Sequence, residues 1–462
     1  MYFEDMDLVI DGWDSYGITY FFIPSYARIN GLDFSGSKLK IYDKNGVLLE
    51  KPSFNTIQEV LVDSEDGERV PYKLGIYQSD NLYTINITAD QNDLDSMNTR
   101  DYIPISISMI SPSGATEYSD PHSAMKGRGN SSWDMVLKKS YDIRLAEEYP
   151  LLKETKFDKW VLLANALDNT KICNKMVLDA ASDIGMPYIT ESDWADVYIN
   201  GEYNGNYLIC KEPHISSDDV DIGNLQKENN KYFANAPKRD KGNIKCHDYK
   251  ESVPDITGGY LFSVGELYRE RNCGFYLPSG ISFYLKSPDN ASMREMEYIS
   301  SYVERVDRSL NETTDYIDPY SFARRFLIDE VFYDDDSQVE SYFFYKRKGD
   351  DTLYVGPCWD YDRLMIWMGP AETATASSVL DEQGGLTWDK TLMENPDYRN
   401  YVKDVFTRNE ELWDQILNHR IDRYFAHVRD SVRMDCARWD DINVDVKVSN
   451  YSHYSLPEKF YY

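Results

Sequence analysis

Carboxylate side chains are concentrated in one part of the sequence, between Asp334 and Asp362. Three of them stand together at Asp334–Asp336, and two more, Asp360 and Asp362, lie in the segment GPCWDYD. Carboxylates that converge repel one another, so they require a cation, raised pKa values or separation. Hard oxygen ligands suit Mg²⁺ or Mn²⁺. The stretch therefore predicts a metal site, with a solvated surface loop as the alternative interpretation of the charge run.

Two short strands between these aspartates predict that the two groups meet. The segments SYFFYK (341–346) and TLYV (352–355) flank a polar turn, which predicts a hairpin. Asp336 and Asp360 lie at comparable distances before and after it, so antiparallel pairing brings both to its open end. Phosphoryl transfer needs one aspartate to orient the attacking hydroxyl and another on the metal. The order of helix, aspartate loop, hairpin and aspartate loop is also the one found in protein kinases.

A glycine-punctuated loop, KGRGNSSW, supplies groups of the opposite charge. Lys126 and Arg128 are cationic, the two glycines allow close approach of the backbone, and Asn130 and Ser131 offer hydrogen-bond donors. Such a loop can hold phosphate groups, although it is neither a Walker A sequence nor a kinase G-x-G-x-x-G loop. Lys139, which opens the next predicted strand, is placed to reach the α- and β-phosphates. An exposed surface lysine is the alternative interpretation.

The elements that must position these groups change along the chain. Residues 1–115 contain short β-branched and aromatic runs separated by Asn, Asp, Gly and Ser clusters, which predicts a small β-sandwich. Apolar residues at helical spacing predict a helix within 169–185, capped by a glycine. The dipeptide Asn-Gly predicts the turn of a hairpin over 194–210. The polar residues 212–255 are predicted to form a loop or an insertion.

Helices are predicted to dominate beyond about residue 290. Asp318 and Pro319 are suited to begin a helix that leads directly to the acidic stretch. The segment 397–440 is amphipathic, charged and predicted to be helical. The acidic stretch should therefore follow one helix and precede a mainly helical region.

The composition restricts the classes of partner. The chain has 462 residues, 79 acidic against 49 basic side chains, and a formal net charge of −30. Its length predicts two to four domains or lobes. A strongly negative surface repels phosphate backbones and anionic lipid, so we expect no nucleic-acid partner and no membrane insertion. No stretch of sequence is apolar enough to span a bilayer, and the N-terminus is acidic rather than signal-like.

Several motifs together resemble the spore-coat CotH kinase family. They cover residues 123–365 and are, in order, KGRGNSSW…KKSYDIRL, LLANALDNTKICNKM, DVYINGEYNGNYLI, GGYLF, and SYFFYK…LYVGPCWDYD. The resemblance implies an atypical protein-kinase-like fold that uses ATP and a divalent metal to phosphorylate serines of secreted or spore-coat proteins. It implies that Asp336 is the catalytic aspartate, assisted by Lys139, and that Asp360 and Asp362 bind the metal. It assigns the nucleotide phosphates to Lys126, Arg128, Asn130, Ser131 and Asn174.

The chain departs from the pattern of that family at three places. Asp334 stands where Asn is common, so an amide has become a carboxylate, which bears on the metal preference. Cys173 precedes Asn174 where Arg is usual, which removes a positive charge. The acidic residue expected after the Tyr-x-Leu strand is shifted, as Lys211-Glu212.

The resulting prediction is an α+β chain with a two-lobed, atypical protein-kinase-like fold. A β-sandwich over 1–115 would precede a small lobe over 116–265 and a mainly helical large lobe over 266–462. We expect a protein kinase that uses ATP and Mg²⁺ or Mn²⁺ and phosphorylates Ser/Thr hydroxyls of a protein substrate. The expected location is secreted or at the cell or spore surface after signal removal, otherwise cytoplasmic. A carbohydrate-active or glycan-binding protein, or a catalytically weak structural member of a coat assembly, are the alternatives.

Overall fold

The computed structural model describes residues 1–3, 8–27, 38–50, 53–64, 67–79, 81–129, 131–152, 156–215, 220–234, 250–265, 273–332, 341–361 and 388–439. About 31% of the described residues are helical and 34% lie in strands, which confirms the predicted mixed α+β class. The chain forms two compact units. The closed-sheet unit comprises Met1–Ile172, Glu191–Glu212 and Asp422–Tyr462, and the hairpin unit comprises Cys173–Thr190 and Pro213–Ile421.

The closed-sheet unit contains fourteen strands and three helices in its described part. The strands are β1 (Tyr2–Phe3), β2 (Leu8–Val9), β3 (Trp13–Ser15), β4 (Ile18–Ile23), β5 (Ile41–Tyr42), β6 (Thr56–Asp63), β7 (Arg69–Gln78), β8 (Tyr83–Thr88), β9 (Ile103–Ile110), β10 (Thr116–Arg128), β11 (Ser140–Tyr149), β12 (Phe157–Leu163), β13 (Ser192–Ile199) and β14 (Glu202–Lys211). The helices are α1 (Gln91–Asp95), α2 (Ser131–Met135) and α10 (Ile421–Trp439), whose first residue belongs to the other unit.

Seven of these strands close on themselves in the order β10-β11-β12-β14-β13-β8-β9. Neighbouring strands are antiparallel except β8 and β13, which run parallel. Successive side chains of a strand point to opposite faces. Alternate residues such as Ile107, Met125 and Ile143 are buried together inside the closed sheet. The intervening residues of the same strands, among them Lys126 and Arg128, therefore face outward.

The strands of residues 1–115 are divided between sheets. A five-stranded sheet has the order β3-β4-β7-β6-β5, whereas β8 and β9 belong to the closed sheet. The β-structure predicted for this region is confirmed, but its strands do not form a self-contained sandwich. The reason is that Ile85, Ile87 and Ile105 bury their side chains with residues that follow position 115, and β9 pairs with β10.

The hairpin predicted over 194–210 is confirmed as β13 and β14. Its two turn residues, Asn200 and Gly201, have φ values of 51° and 84°. A two-residue turn with both values positive matches the right-handed twist of the strands it joins. The sequence signal was therefore sufficient to place this turn.

The hairpin unit contains one five-stranded sheet and seven helices in its described part. The sheet has the order β16-β17-β15-β18-β19, with β15 (Tyr260–Val264), β16 (Gly274–Tyr276), β17 (Ser282–Ser287), β18 (Phe343–Lys346) and β19 (Leu353–Val355). The helices are α3 (Cys173–Asp183), α4 (Leu225–Tyr232), α5 (Met293–Ser309), α6 (Pro319–Phe332), α7 (Trp388–Glu394), α8 (Pro396–Arg408) and α9 (Glu410–Gln415). A π-helical turn, Ile416–Arg420, follows α9.

Helix α3 ends where the sequence predicts. Gly185 has a φ of 79°, its N–H donates to the carbonyl of Ser182, and the N–H of Met186 donates to the carbonyl of Ala181. These two bonds form the Schellman motif, which satisfies the last carbonyls of a helix. At its other end, the helix begins with Cys173 and Asn174 in its first turn.

One element lies where the sequence predicted a loop. Helix α4 occurs within the polar segment 212–255, and its sequence LQKENNKY offers only a weak apolar pattern. Asn224 caps it by accepting a hydrogen bond from the N–H of Lys227 at 2.8 Å. Buried Leu225 and Asn229 attach the helix to its unit. Capping and two contacts, rather than an amphipathic stripe, stabilise this helix.

Candidate functional site

The predicted hairpin between the two aspartate groups is confirmed as β18 and β19. Phe344 pairs with Val355 and Lys346 pairs with Leu353 in antiparallel register. Beyond the open end of this hairpin, the Ser341 hydroxyl donates to Asp360 Oδ2 at 3.2 Å. Asp360 therefore lies where the sequence predicts. The other predicted acidic residues, Asp334, Asp335, Asp336 and Asp362, lie outside the described residues.

Asp360 has two properties of a functional carboxylate. Its φ is 70°, in the left-handed region that residues with a side chain rarely occupy. Its side chain is exposed, and it forms no ion pair with any residue that the structure describes. Strained backbone of this kind persists only where the surroundings enforce it, and it concentrates at functional sites. The surroundings of Asp360 are therefore informative.

The residue after Asp360 is held at both ends. The Tyr361 N–H donates to Asn174 Oδ1 at 2.7 Å, so the side chain at the start of α3 fixes the backbone of this loop. The Tyr361 hydroxyl donates to Asp329 Oδ1 on α6 at 3.1 Å. Asn174, Asp329 and Tyr361 are all buried. Asn174, predicted to contact the nucleotide, is thus seen to hold the loop that carries Asp360.

A buried ion pair lies beneath this loop. Arg325 Nε donates to Asp329 Oδ1 and Oδ2 at 2.9 and 2.8 Å, and both side chains are 0% exposed. The guanidinium lies 4.4 Å from the ring centre of Tyr342 and 5.2 Å from that of Tyr361. Burial acts to lower the pKa of Arg325, but the Asp329 carboxylate outweighs it and the pKa is raised well above its ordinary value. Arg325 is therefore a permanent cation.

A second buried carboxyl group adjoins this ion pair. Asp389 on α7 is buried and accepts a hydrogen bond from the Tyr342 hydroxyl at 3.3 Å. Burial raises the pKa of Asp389 to about 7, although Arg325 opposes that effect. Asp389 therefore keeps its proton at mildly acidic pH.

In the closed-sheet unit, the predicted phosphate-binding cations are paired with acids. Lys126 Nζ lies 2.6 Å from Asp142 Oδ2, and Arg128 Nη1 lies 2.8 Å from Asp142 Oδ1. Arg128 also pairs with Glu212 at 3.3 Å. Lys126 and Asp142 are register partners on β10 and β11, which explains their contact. Burial lowers the pKa of Arg128, but Glu212 and Asp142 outweigh it and raise the pKa.

The glycines of the KGRGNSSW segment also have a structural role. A Cβ atom on Gly127 would lie 2.4 Å from the indole ring of Trp133. Gly129 has a φ of 119°, a conformation that favours glycine. The glycines therefore admit the Trp133 ring and turn the chain into α2. Asn130 lies outside the described residues, and for Ser131 only its position as the first residue of α2 is described.

Of two adjacent lysines, sequence reasoning selected the one that bonds only local carbonyls. The Lys139 ammonium group donates to the carbonyls of Trp133 and Val136 and lies 5.2 Å from the Trp133 ring centre. Burial lowers its pKa. Lys138 is 0% exposed, lies 2.5 Å from Asp435 Oδ1, and has a pKa lowered by burial to about 8. Both lysines precede β11, and what distinguishes them is the contact of Lys138 with Asp435, which is distant in sequence.

Sequence reasoning missed three further residues, although two of them carried a signal. Arg325 and Asp329 are spaced i, i+4 in the otherwise apolar segment FARRFLIDEVF, a pattern that indicates a buried ion pair. Asp389 is flanked by no comparable pattern. The structure therefore brings Asn174 and Asp360 together with this pair in the hairpin unit, and Lys126 and Arg128 together in the closed-sheet unit.

The donor chemistry of the described residues fits a magnesium-type ion in part. Asp360 offers one exposed carboxylate, and Mg²⁺ typically takes one or two carboxylates together with substrate phosphates. Among the described residues no three His, Cys, Asp or Glu side chains cluster as a metal site. Within those residues no helix is long and apolar enough to cross a membrane.

Comparison with known proteins gives the family. The model of the CotH kinase protein family matches residues 125–456, which is more than half of the chain. A comparison with curated proteins found no match. The matched region includes Lys126, Arg128, Asn174 and Asp360, the residues whose surroundings were described above. The chain therefore belongs to the CotH kinase family.

Proposed function

We propose that the chain is a CotH-type protein kinase that transfers the γ-phosphate of ATP to Ser/Thr hydroxyls of a secreted or coat protein. The proposal includes an atypical kinase-like fold with two lobes. Family membership supports the class of reaction. The single observation that carries the assignment is Asp360, an exposed carboxylate in left-handed backbone at the open end of the hairpin.

The acidic side chains would divide the work between them. Asp360, with Asp362, would hold Mg²⁺ or Mn²⁺, and Asp336 would orient the acceptor hydroxyl. The metal, when bound, supplies positive charge that neutralises the nucleotide phosphates. Asp360 suits this role because no cationic side chain of the described residues neutralises it. The buried contacts of Tyr361, the next residue, hold the backbone of Asp360 in place.

The cationic side chains would bind the nucleotide phosphates. Lys126 and Arg128 suit this role because Asp142 and Glu212 fix their orientation without burying them fully. In protein kinases a lysine held by a glutamate serves the phosphates in the same manner. We assign this role to Lys126 and Arg128 ahead of Lys139, whose ammonium group already bonds two carbonyls. Asn130 and Ser131 remain proposed donors beside them.

Transfer of labelled phosphate from ATP to a protein acceptor tests the proposal. Asp336→Asn and Asp360→Asn should each reduce the rate by at least about 100-fold, because each removes a charge on which phosphoryl transfer depends. Asp351→Asn is the matched control, since Asp351 is an exposed aspartate at the other end of the same hairpin and pairs with Arg305. Unchanged transfer in both site variants would refute the proposal.

Calorimetry with ATP and Mg²⁺ separates the alternatives. Nucleotide binding without transfer would identify a catalytically weak member. The carboxylate of Asp334, in place of the usual Asn, would then be the first cause of low activity to test. Absence of binding together with affinity for an oligosaccharide would favour a glycan-binding protein. Linked stabilisation by ATP and Mg²⁺ together, beyond either alone, is the result expected for a shared site.

A further inference from the structure

We propose that the buried ion pair of Arg325 and Asp329 is a positioning element for the Asp360 carboxylate, acting through Tyr361. This inference rests on the proposed function, since it gives the pair a purpose in metal binding. Neither residue is exposed, so neither can contact a substrate directly. Their influence must pass through the residues that they touch.

The first step of the argument is the geometry of Tyr361. Its N–H is held by Asn174 and its hydroxyl by Asp329, so both ends of the residue are fixed. Asp360 and Tyr361 share a planar peptide unit, and fixing the Tyr361 N–H therefore fixes the carbonyl of Asp360. The left-handed φ of Asp360 is a conformation that needs such enforcement.

The second step is the charge of the pair. Asp329 accepts two bonds from Arg325 and one from Tyr361, so the position of its carboxylate is fixed by both partners. Arg325 also packs on the ring of Tyr342, whose neighbour Ser341 donates to Asp360. The pair therefore contacts Tyr342, which follows Ser341, and Tyr361, which follows Asp360. A shift of the pair would move both partners of the bond between Ser341 and Asp360.

A purely stabilising role makes a different prediction. Buried ion pairs are weak contributors to stability, because their desolvation offsets their attraction. If the pair only stabilised α6, its variants would lower the unfolding midpoint and leave the metal dependence unchanged. A positioning role instead predicts a change in metal dependence that exceeds the change in stability. In metal sites, losing a partner of this kind costs about 10- to 100-fold in affinity or activity.

The sharpest test compares two tyrosine hydroxyls that lie near the same arginine. Tyr361→Phe removes the hydroxyl that donates to Asp329, and Tyr342→Phe removes the hydroxyl that donates to Asp389. Both rings remain beside Arg325. We expect Tyr361→Phe to raise the Mg²⁺ concentration for half-maximal phosphate transfer by about 10-fold. Tyr342→Phe should change it less than about twofold. Equal effects of the two variants would overturn the inference.

Asp329→Asn extends the test to the ion pair itself, and Val306→Ala provides a destabilised control. Val306 is fully buried in α5, so its truncation lowers stability through lost packing. We expect Asp329→Asn to raise the Mg²⁺ requirement more than Tyr361→Phe does. Val306→Ala should leave it unchanged. An altered Mg²⁺ requirement in Val306→Ala would show that destabilisation alone produces the effect, and would overturn the inference.

Hydrogen exchange separates failure of this inference from failure of the proposed function. The Tyr361 N–H is protected by Asn174, and its exchange can be followed in a peptide of the full chain without ATP or metal. Tyr361→Phe and Asp329→Asn should increase that exchange at least about fivefold, with Val306→Ala as the reference. Unchanged exchange would overturn the positioning role. A wild-type chain without metal-dependent transfer would instead refute the proposed function.

Discussion

The two units bury charge in different ways. In the hairpin unit Arg325 and Asp329 are one helical turn apart on α6, so a single element supplies both partners. In the closed-sheet unit Asp435 pairs with Lys138 at 2.5 Å and with Lys171 at 3.3 Å. Those three residues come from distant parts of the chain. A local pair can orient a neighbouring loop, whereas a long-range triad holds separate segments of one unit together.

The triad is also tied to the backbone. Lys138 Nζ donates to the carbonyls of Ala164 and Asn206, and Asp435 Oδ1 accepts from the N–H of Asn206 at 2.9 Å. Gly205 makes room for this arrangement, since a Cβ atom there would lie 2.4 Å from Asp435 Oδ1. Burial acts to raise the pKa of Asp435, but Lys138 outweighs it and the pKa is lowered. The closed sheet therefore depends on Asp435 for charge balance.

The largest expected effect follows from this dependence. Asp435→Asn should lower the free energy of unfolding by about 3–5 kcal/mol, because it leaves Lys138 and Lys171 buried without their carboxylate. Urea unfolding measures the change. Glu304→Gln is the control, since Glu304 forms an exposed i, i+4 pair with Arg308 whose loss costs about 0.5 kcal/mol or less. A loss below about 1 kcal/mol for Asp435→Asn would show that the triad is not essential.

An effect of intermediate size is expected in the pH dependence of the free energy of unfolding, to which each unit contributes one buried aspartate. Burial raises the pKa of Asp389 to about 7 and that of Asp196, in the closed-sheet unit, to about 6. An aspartate in the unfolded chain titrates near about 3.9. Between that value and the raised pKa the folded state holds a proton that the unfolded state has lost. The free energy of unfolding should therefore fall as pH rises, by up to about 1.4 kcal/mol per pH unit for each group.

Single variants separate the two contributions. Asp389→Asn should flatten the decline up to about pH 7, whereas Asp196→Asn should flatten it only below about pH 6. Urea midpoints at about pH 5, 6.5 and 8 distinguish these outcomes. An unchanged slope between about pH 6 and 7 in Asp389→Asn would mean that this carboxyl is already ionised there.

The smallest expected effect on stability comes from replacing the local pair altogether. The double variant Arg325→Met with Asp329→Leu should change the free energy of unfolding by about 1 kcal/mol or less, because apolar residues of similar volume often replace buried ion pairs at little cost. Thermal unfolding checks this, with Asp329→Asn as the comparison that leaves Arg325 unpaired. A double variant as unstable as that single variant would show that the hairpin unit needs the charges themselves.

The sequence was sufficient for features set by local chemistry. The Asn200-Gly201 turn, the glycine at the end of α3 and the hairpin that brings Asp360 next to Ser341 follow from short-range geometry. The support beneath Asp360 was only partly predictable. Arg325 and Asp329 carry a helical spacing, but the partner of Asp329 is Tyr361, and no local pattern connects the two.

Features set by long-range pairing could not be predicted. In the closed sheet β8 pairs with β13 and β9 pairs with β10, although β10 and β13 come after position 115 in the sequence. These pairings depend on the topology of the whole sheet and not on a local sequence pattern. The same holds for buried Lys138, whose partner Asp435 is distant in sequence. Lys139 looked equivalent in sequence because the two lysines are adjacent and no local pattern indicates which of them meets Asp435.

The pairing of Lys138 with Asp435 has a consequence for how the chain is made. Lys138 leaves the ribosome roughly 300 residues before Asp435, which corresponds to about 15–60 s of synthesis. The part of the protein that is translated first therefore cannot complete its interior until helix α10 has emerged. Until then Lys138 and Lys171 have been synthesised but their shared carboxylate, Asp435, has not. The exposure of these two lysines can therefore be followed as a measure of how far the nascent chain has folded.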